Sequence, residues 1–291
     1  MPVDCACGDG ADCGDGPLRS AARVNCERMK IVVIGGTGLI GSKLVTKLTE
    51  HGHDAMPASP RLGIDTITGE GLAAALDGAS VVVDVSNSPN FEYATALQFF
   101  ERSTHNLMAA EAAAHVGHHV ALSVVGTKVL SQSSDPETTT AGYFLAKQTQ
   151  EELIAASGIP YSIVHATQFF NLIKGIADAA TDGGTVRVPA VAFQPMAPDD
   201  VAWMLGRTAA EEPLNGIVEI GGPERFRFDE PVRRVLAALN DEREVVTDSS
   251  ARYYGIPVGE DTLVPGDGAR LGETRLDDWL AQTASMKTAV A

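Results

Sequence analysis

Residues 30–41 constrain this chain more than any other stretch. Lys30-Ile31-Val32-Val33-Ile34 is a short, unbroken apolar run rich in β-branched residues, the pattern of a strand buried on both faces in a parallel sheet. Gly35-Gly36-Thr37-Gly38-Leu39-Ile40-Gly41 follows, then an amphipathic stretch, Ser42–Glu50, closed by Gly52 at the position after the helix end. The order is strand, glycine turn, helix. Gly35, Gly38 and Gly41 are spaced three apart, and the arrangement needs positions without a Cβ. One glycine permits the tight turn, one lets backbone N–H groups approach a ligand, and one lets the helix pack close to the strand. The open N-terminus of such a helix carries a partial positive charge that favours the pyrophosphate of a dinucleotide. The expected cofactor contacts are Gly35, Thr37, Gly38, Leu39, Ile40 and Gly41.

The chain after this turn keeps alternating. Strands are expected near His53–Ser59 (irregular at Pro57), Val81–Val85, His119–Val125 and Tyr161–His165, with helices over Leu72–Leu76, 92–115 and Gly142–Ser157 between them. Such alternation predicts an α/β fold, a Rossmann-type doubly wound parallel sheet with right-handed crossovers. The periodicity loosens after residue 166. A helix is expected over Gln168–Asp182, a short strand at Val186–Val188, a helix over 200–210 capped by Asp199, a strand at Ile217–Ile220, a helix capped by Asp229 and running to Leu239, and a terminal helix near Asp277–Ala284. Residues 166–291 are expected to form a small C-terminal substrate lobe on a single domain, 29–291.

Composition narrows the partners. The net charge of −16 repels nucleic-acid phosphates and anionic membranes, so no nucleic-acid or membrane partner is expected. No apolar run reaches the roughly 18 residues of a membrane span. Cys5, Cys7, Cys13 and Cys26 all fall in the first 26 residues, so the folded body holds no disulfide. Residues 1–28, rich in Gly and Asp, read as a disordered leader without a signal-peptide core or a complete zinc pattern. No metal is expected, and the expected compartment is the cytoplasm.

The residues after the second strand bear on which dinucleotide is held. An NAD-selective site places an acid at that strand end, on the ribose 2′-OH. Here the sequence is Ala58-Ser59-Pro60-Arg61, and Ser59 and Arg61 suit a 2′-phosphate. NADP(H) is therefore expected in preference to NAD(H). Ser86 and Asn87, just after the third strand, are placed along the cofactor. Tyr143 and Lys147 stand four apart on one helix face. A tyrosine hydroxyl can pass the proton that accompanies hydride transfer, and a nearby ammonium lowers its pKa and can hold the nicotinamide ribose. Ser123 ends the preceding strand, where it could polarise a substrate carbonyl.

The glycine turn, Ser123-Val124-Val125-Gly126-Thr127, the Tyr143–Lys147 pair and Ser157-Gly158-Ile159-Pro160-Tyr161-Ser162-Ile163-Val164 together resemble an atypical short-chain dehydrogenase/reductase of the NmrA-like, NAD(P)H-binding type. The resemblance covers about residues 29–280. It implies serine, tyrosine and lysine roles for Ser123, Tyr143 and Lys147. It also implies that cofactor can be bound without turnover, because NmrA-like members include such proteins.

His165, Gln168, Phe169 and Phe170 follow the fifth strand, where open α/β sheets bind ligands, and are expected to touch substrate. Phe193, Gln194 and Met196 are candidates to cover it. His115, His118 and His119 read as a strand lead-in rather than a metal site. The expected function is an NADP(H)-dependent reductase or dehydrogenase acting on a small carbonyl or quinone-like substrate. The rivals are a dinucleotide-binding redox sensor without turnover and a nucleotide-sugar epimerase or dehydratase. The last would need cations such as Arg225, Arg227, Arg233 and Arg234 at a diphosphate.

Overall fold

The computed structural model describes residues 28–290 except 134, 138 and 139, so the four cysteines and all of the expected leader but Arg28 lie outside the described residues. Strand β1 (Lys30–Ile34) forms as its sequence dictates, with side chains alternating between two apolar layers. Ile31 and Val33 pack on one face; Val32 and Ile34 pack on the other. Helix α1 (Leu39–Glu50) follows the glycine turn and ends at His51, with Gly52 left-handed at φ 86°. The helix begins at Leu39 rather than Ser42. Gly38 is the cap residue, and the Ser42 amide already donates to the Gly38 carbonyl.

Strands β2 (Asp54–Ala58), β3 (Val81–Asp84), β4 (His118–Val124), β5 (Tyr161–Ala166), β9 (Gly216–Gly221) and β12 (Arg270–Leu271) join β1 in a seven-stranded sheet, in the order β12-β9-β5-β4-β3-β1-β2. Every pairing in it is parallel. Pro57 is tolerated because β2 is an edge strand. Helices α2 (Leu72–Leu76), α3 (Tyr93–Ala114), α4 (Thr127–Gln132) and α5 (Ala141–Ala156) connect the first strands. Helices α1 and α7 (Pro198–Ala210) pack together on one face of the sheet through Leu44, Leu48, Val201 and Leu205. On the other face, Leu76 of α2 and Leu107 of α3 pack on Val32, Ile34 and Val82.

The strand order reverses beside β1, which has β2 on one side and β3 on the other. Such a reversal marks the position at which open α/β sheets take ligands.

The chain after β5 departs from expectation in one segment. Residues 168 and 169 are bridged to Met196, whose amide donates to the Gln168 carbonyl and whose carbonyl accepts from the Phe170 amide, and a short 3-10 turn, Phe170–Leu172, follows. Helix α6 spans only Ile173–Ala179, and β6 (Thr181–Asp182) turns at Gly183-Gly184 into β7 (Thr185–Val188). The expected helix through Asp182 is thus interrupted at its start by pairing with distant Met196 and at its end by the local β6–β7 hairpin. β7 pairs in parallel with β11 (Glu244–Thr247), and β8 (Ala192–Phe193) pairs with β10 (Phe226–Arg227).

Neither expected aspartate cap forms. Ala197 and Phe228 occupy the cap positions of α7 and α8 (Asp229–Ala238), and both aspartates lie inside the first turn. Asp199 pairs with Lys43 at 2.9 Å and Asp229 with Arg233. Asp200 instead accepts from the amides of Glu273 and Thr274, tying α7 to the segment that enters α9 (Leu276–Val290). No helix among the described residues is long and apolar enough to cross a membrane.

Candidate cofactor and substrate cavity

A cavity of about 810 Å³ opens at the C-terminal ends of the central strands. Its floor is the glycine turn. Gly35 is left-handed at φ 77°, which turns the chain out of β1, and Gly41 packs against that turn. A Cβ on Gly41 would overlap the Gly35 carbonyl oxygen and reach within 2.7 Å of the Gly36 Cα, so only glycine lets α1 start this close. Gly35, Thr37, Gly38, Leu39, Ile40 and Gly41 all line the cavity, and no side chain caps the helix they open. The first-turn amides of a twelve-residue helix therefore face the cavity, a site suited to an anionic phosphate. Ser59 Oγ, Ser86 Oγ and Thr167 Oγ1 are buried without partners among the described residues, and all three residues line the same cavity. A polyhydroxylated, phosphate-bearing ligand would satisfy such groups, so the residues present fit a dinucleotide.

The structure brings Tyr143, Lys147, Ser123, Asn87, Gln168 and Phe169 to the cavity as well. The Tyr143 hydroxyl donates to Asn87 Oδ1 at 3.0 Å. The ring lies among Phe91, Phe100 and Phe144, with centroids 4.9 to 6.0 Å away. Burial raises the phenol well above its usual range, and the Asn87 bond only partly offsets this. The lowering by Lys147 expected from the sequence is absent, because the ammonium is held elsewhere. Lys147 Nζ donates to the Leu122 carbonyl at 2.7 Å and to Gln150 Oε1 at 2.5 Å, over the Phe100 ring. Burial brings Lys147 down to about 8, opposed by the charges of Asp84 and Glu151. Ser123 Oγ donates to Glu151 Oε1, which also meets His165 Nε2 at 3.0 Å.

Three expected contacts lie elsewhere. Arg61 sits on the exposed turn Pro60–Leu62, outside the cavity wall that Ser59 and Pro60 form. His165 points to Glu151 and Glu219 rather than into the cavity. Phe170 is buried against Trp279, at 5.4 Å. Phe193 stacks on Phe228, Gln194 Nε2 donates to the Gly222 carbonyl, and Met196 is fully buried, so none of the three covers the cavity. The histidine group also disperses: His115 ends α3, His118 meets Ser162, and His119 is buried against Glu111. Among the described residues no three His, Cys, Asp or Glu side chains converge on a metal position.

Sequence reasoning missed part of the wall. Asp65, Thr66 and Ile67 line it beside Ser59, on a loop shaped by the Asp65 carboxylate, which accepts from the Ile67 amide at 2.7 Å. Phe91, Phe99, Phe144, Leu172, Tyr253 and Tyr254 supply apolar surface to the cavity wall. The turn glycines Gly63, Gly69 and Gly71 marked the first segment as a loop. Nothing local placed Tyr253 and Tyr254 next to a strand end more than eighty residues earlier.

The sequence profile of a family described as NAD(P)H-binding matches residues 35–197, more than half of the 291-residue chain and including the whole glycine turn. The chain belongs to this NAD(P)H-binding family. No curated protein matches it by sequence. Solved structures with the same fold include a dTDP-4-dehydrorhamnose reductase from Clostridium acetobutylicum, at 14% identity and a TM-score of 0.66, covering 89% of this chain and 100% of that one. They also include a short-chain dehydrogenase/reductase superfamily protein from Agrobacterium tumefaciens with bound NAD, at 16% identity and 0.65, covering 89% and 97%. A third is the Bordetella bronchiseptica enzyme WbmG in complex with NAD and UDP, at 13% identity and 0.65, covering 90% and 96%. Like them, this NAD(P)H-binding protein has a Rossmann-type α/β fold.

Proposed function

We propose that the protein is an NADPH-dependent oxidoreductase that reduces the carbonyl of a small, apolar, quinone-like substrate. The observation that carries this reading is one cavity shared by the uncapped N-terminus of α1, the Tyr143–Lys147 pair and an aromatic wall. Gly38 to Gly41 would hold the diphosphate, Ser59 and Thr66 the adenosine side, and Ser86, Asn87 and Lys147 the nicotinamide ribose. A bound reduced nicotinamide supplies the hydride, while the protein supplies orientation and the proton. A phenol raised by burial stays protonated through the working pH range, so Tyr143 enters as a proton donor, which suits reduction. Ser123 would hold the substrate oxygen, its own proton engaged by Glu151 at rest.

The preference for NADPH rests on the strand end Ala58-Ser59-Pro60-Arg61, which carries no acid; the nearby Asp65 carboxylate is engaged within its own loop. Lys147 is the one cationic side chain among the described residues of the cavity wall. Arg225, Arg233 and Arg234 are paired with acids outside it, and Arg227 lies 3.9 Å from Asp229. That leaves a sugar-nucleotide diphosphate without the cations it would need in the C-terminal half. The test is NADPH oxidation followed by absorbance with a panel of quinones, aromatic aldehydes and sugar nucleotides. Turnover confined to sugar nucleotides, or NADPH binding without turnover on any of them, would reject this reading.

A further inference from the structure

Asp84 ends β3 and is buried to 2% exposure. Alternation along β3 explains its direction. Val81 and Val83 face α1 and α7, whereas Val82 joins the layer under α2 and α3, so Asp84 points to the same side as Val82. There its two oxygens are divided. Oδ1 accepts from the Ser86 amide at 2.9 Å, fixing the start of the loop that carries Asn87. Oδ2 accepts from Gln150 Nε2 at 3.0 Å. The other end of the Gln150 amide, Oε1, accepts from Lys147 Nζ. One continuous network thus runs from the Lys147 ammonium through Gln150 and Asp84 to the loop whose Asn87 receives the Tyr143 hydroxyl.

We propose that Asp84, acting through Gln150, is the positioning residue that locks Lys147 and the Asn87 loop into one arrangement and keeps the lysine charged. The proposal rests on the cofactor reading above only in giving Lys147 a ligand to hold. A buried ammonium is costly unless it is paired. Three features of the packing meet Lys147: the Leu122 carbonyl of β4, the Phe100 ring of α3 and the Gln150 amide of its own helix. The nearby carboxylates are Asp84 and Glu151. Behind Asp84 lies the buried pair of Glu111 and His119, 2.9 Å apart, in which Glu111 holds the imidazole above its usual value against burial. The network therefore sits among groups of both signs, with Asp84 hydrogen-bonded to Gln150 and to the Ser86 amide.

The test is an NMR titration of the Lys147 ε-carbon in the cofactor-free, full-length protein, assigned with Lys147→Arg, alongside calorimetric titration with NADPH. Wild type is expected to titrate near 8. Asp84→Asn keeps the shape and removes the charge, and should lower the midpoint by about one pH unit, leaving about tenfold less charged lysine above it. Gln150→Glu in the Asp84→Asn background puts a lone carboxylate directly on the ammonium and should move the midpoint back up by a similar amount, so the two variants shift it in opposite senses. NADPH affinity in Asp84→Asn should begin to weaken at correspondingly lower pH. Unmoved midpoints in both variants, with NADPH still bound by wild type, would overturn this proposal alone. Midpoints that move as stated while wild type binds no NADPH would sustain it and reject the cofactor reading.

Discussion

Replacing Gly41 by alanine probes the closest approach in the cofactor site. The added methyl overlaps the Gly35 carbonyl oxygen and lies 2.7 Å from Gly36 Cα and 2.8 Å from the Gly35 carbonyl carbon. These are main-chain atoms pinned by β1 and by the Gly35 amide bond to the Ala58 carbonyl, so no flexible side chain can yield. Ordinary carbon contacts need about 3.5 Å, so the start of α1 must retreat by roughly 1 Å. Overpacking of this kind costs about 1–3 kcal/mol, offset by at most about 1 kcal/mol of better helix propensity. At about 2–4 °C per kcal/mol for a chain of this size, a net loss of about 1–2 kcal/mol should lower the melting temperature by about 2–8 °C. NADPH affinity, measured by calorimetry, should fall more than about tenfold as the amides leave their places. Gly206→Ala is the control. It is also helical, but its methyl would meet only Leu44 and Leu48 side chains at 3.5 and 3.6 Å, so it should melt at or slightly above wild type. A Gly41→Ala protein that melts and binds like wild type would refute the argument.

Tyr143→Phe should lower turnover at least about a hundredfold with NADPH affinity unchanged; equal turnover would remove Tyr143 as proton donor. His118 gives a pH dependence. Buried against Ser162, it is held down to about 4 by desolvation, with a smaller push from His119. The unfolded chain takes up this proton near 6.5, so between those values the unfolded state binds more protons and stability falls as pH falls, by at most about 3 kcal/mol. His118→Asn should flatten that slope in urea titrations at successive pH values; an unchanged slope would exclude this histidine as its source. Asp200→Ala removes the acceptor of the Glu273 and Thr274 amides and should cost about 1–3 kcal/mol, with faster amide exchange at those two residues; unaltered exchange there would contradict the assignment.

The first half of the fold was legible because its signals are local. The apolar run at Lys30–Ile34, the glycine turn and Gly52 mark β1 and α1 to within a few residues, and each later βα unit repeats the pattern. The second half depends on contacts far apart in sequence. Residues 168 and 169 look helical in isolation but are drawn into a bridge with Met196, and β7 needs β11, some sixty residues on. Asp199 and Asp229 look like caps, yet each finds a cation one turn away or on a neighbouring helix. In the site, the helical spacing of Tyr143 and Lys147 correctly put both on one wall. It could not reveal that Gln150 and the Leu122 carbonyl take the ammonium, since that depends on the depth of burial between β4 and α5. His165 was misplaced for a related reason: Glu151, invisible as a partner in the sequence, draws it away from the cavity.

The central claim is that free main-chain amides at the start of α1 bind the diphosphate of a nicotinamide dinucleotide. A crystal structure of the full-length protein grown with NADPH tests it most directly. The account predicts diphosphate oxygens within hydrogen-bond distance of the amides between Gly38 and Gly41, and the nicotinamide ring on the Tyr143 side. A nucleotide bound elsewhere, or a helix start closed by another group at saturating NADPH, would contradict it.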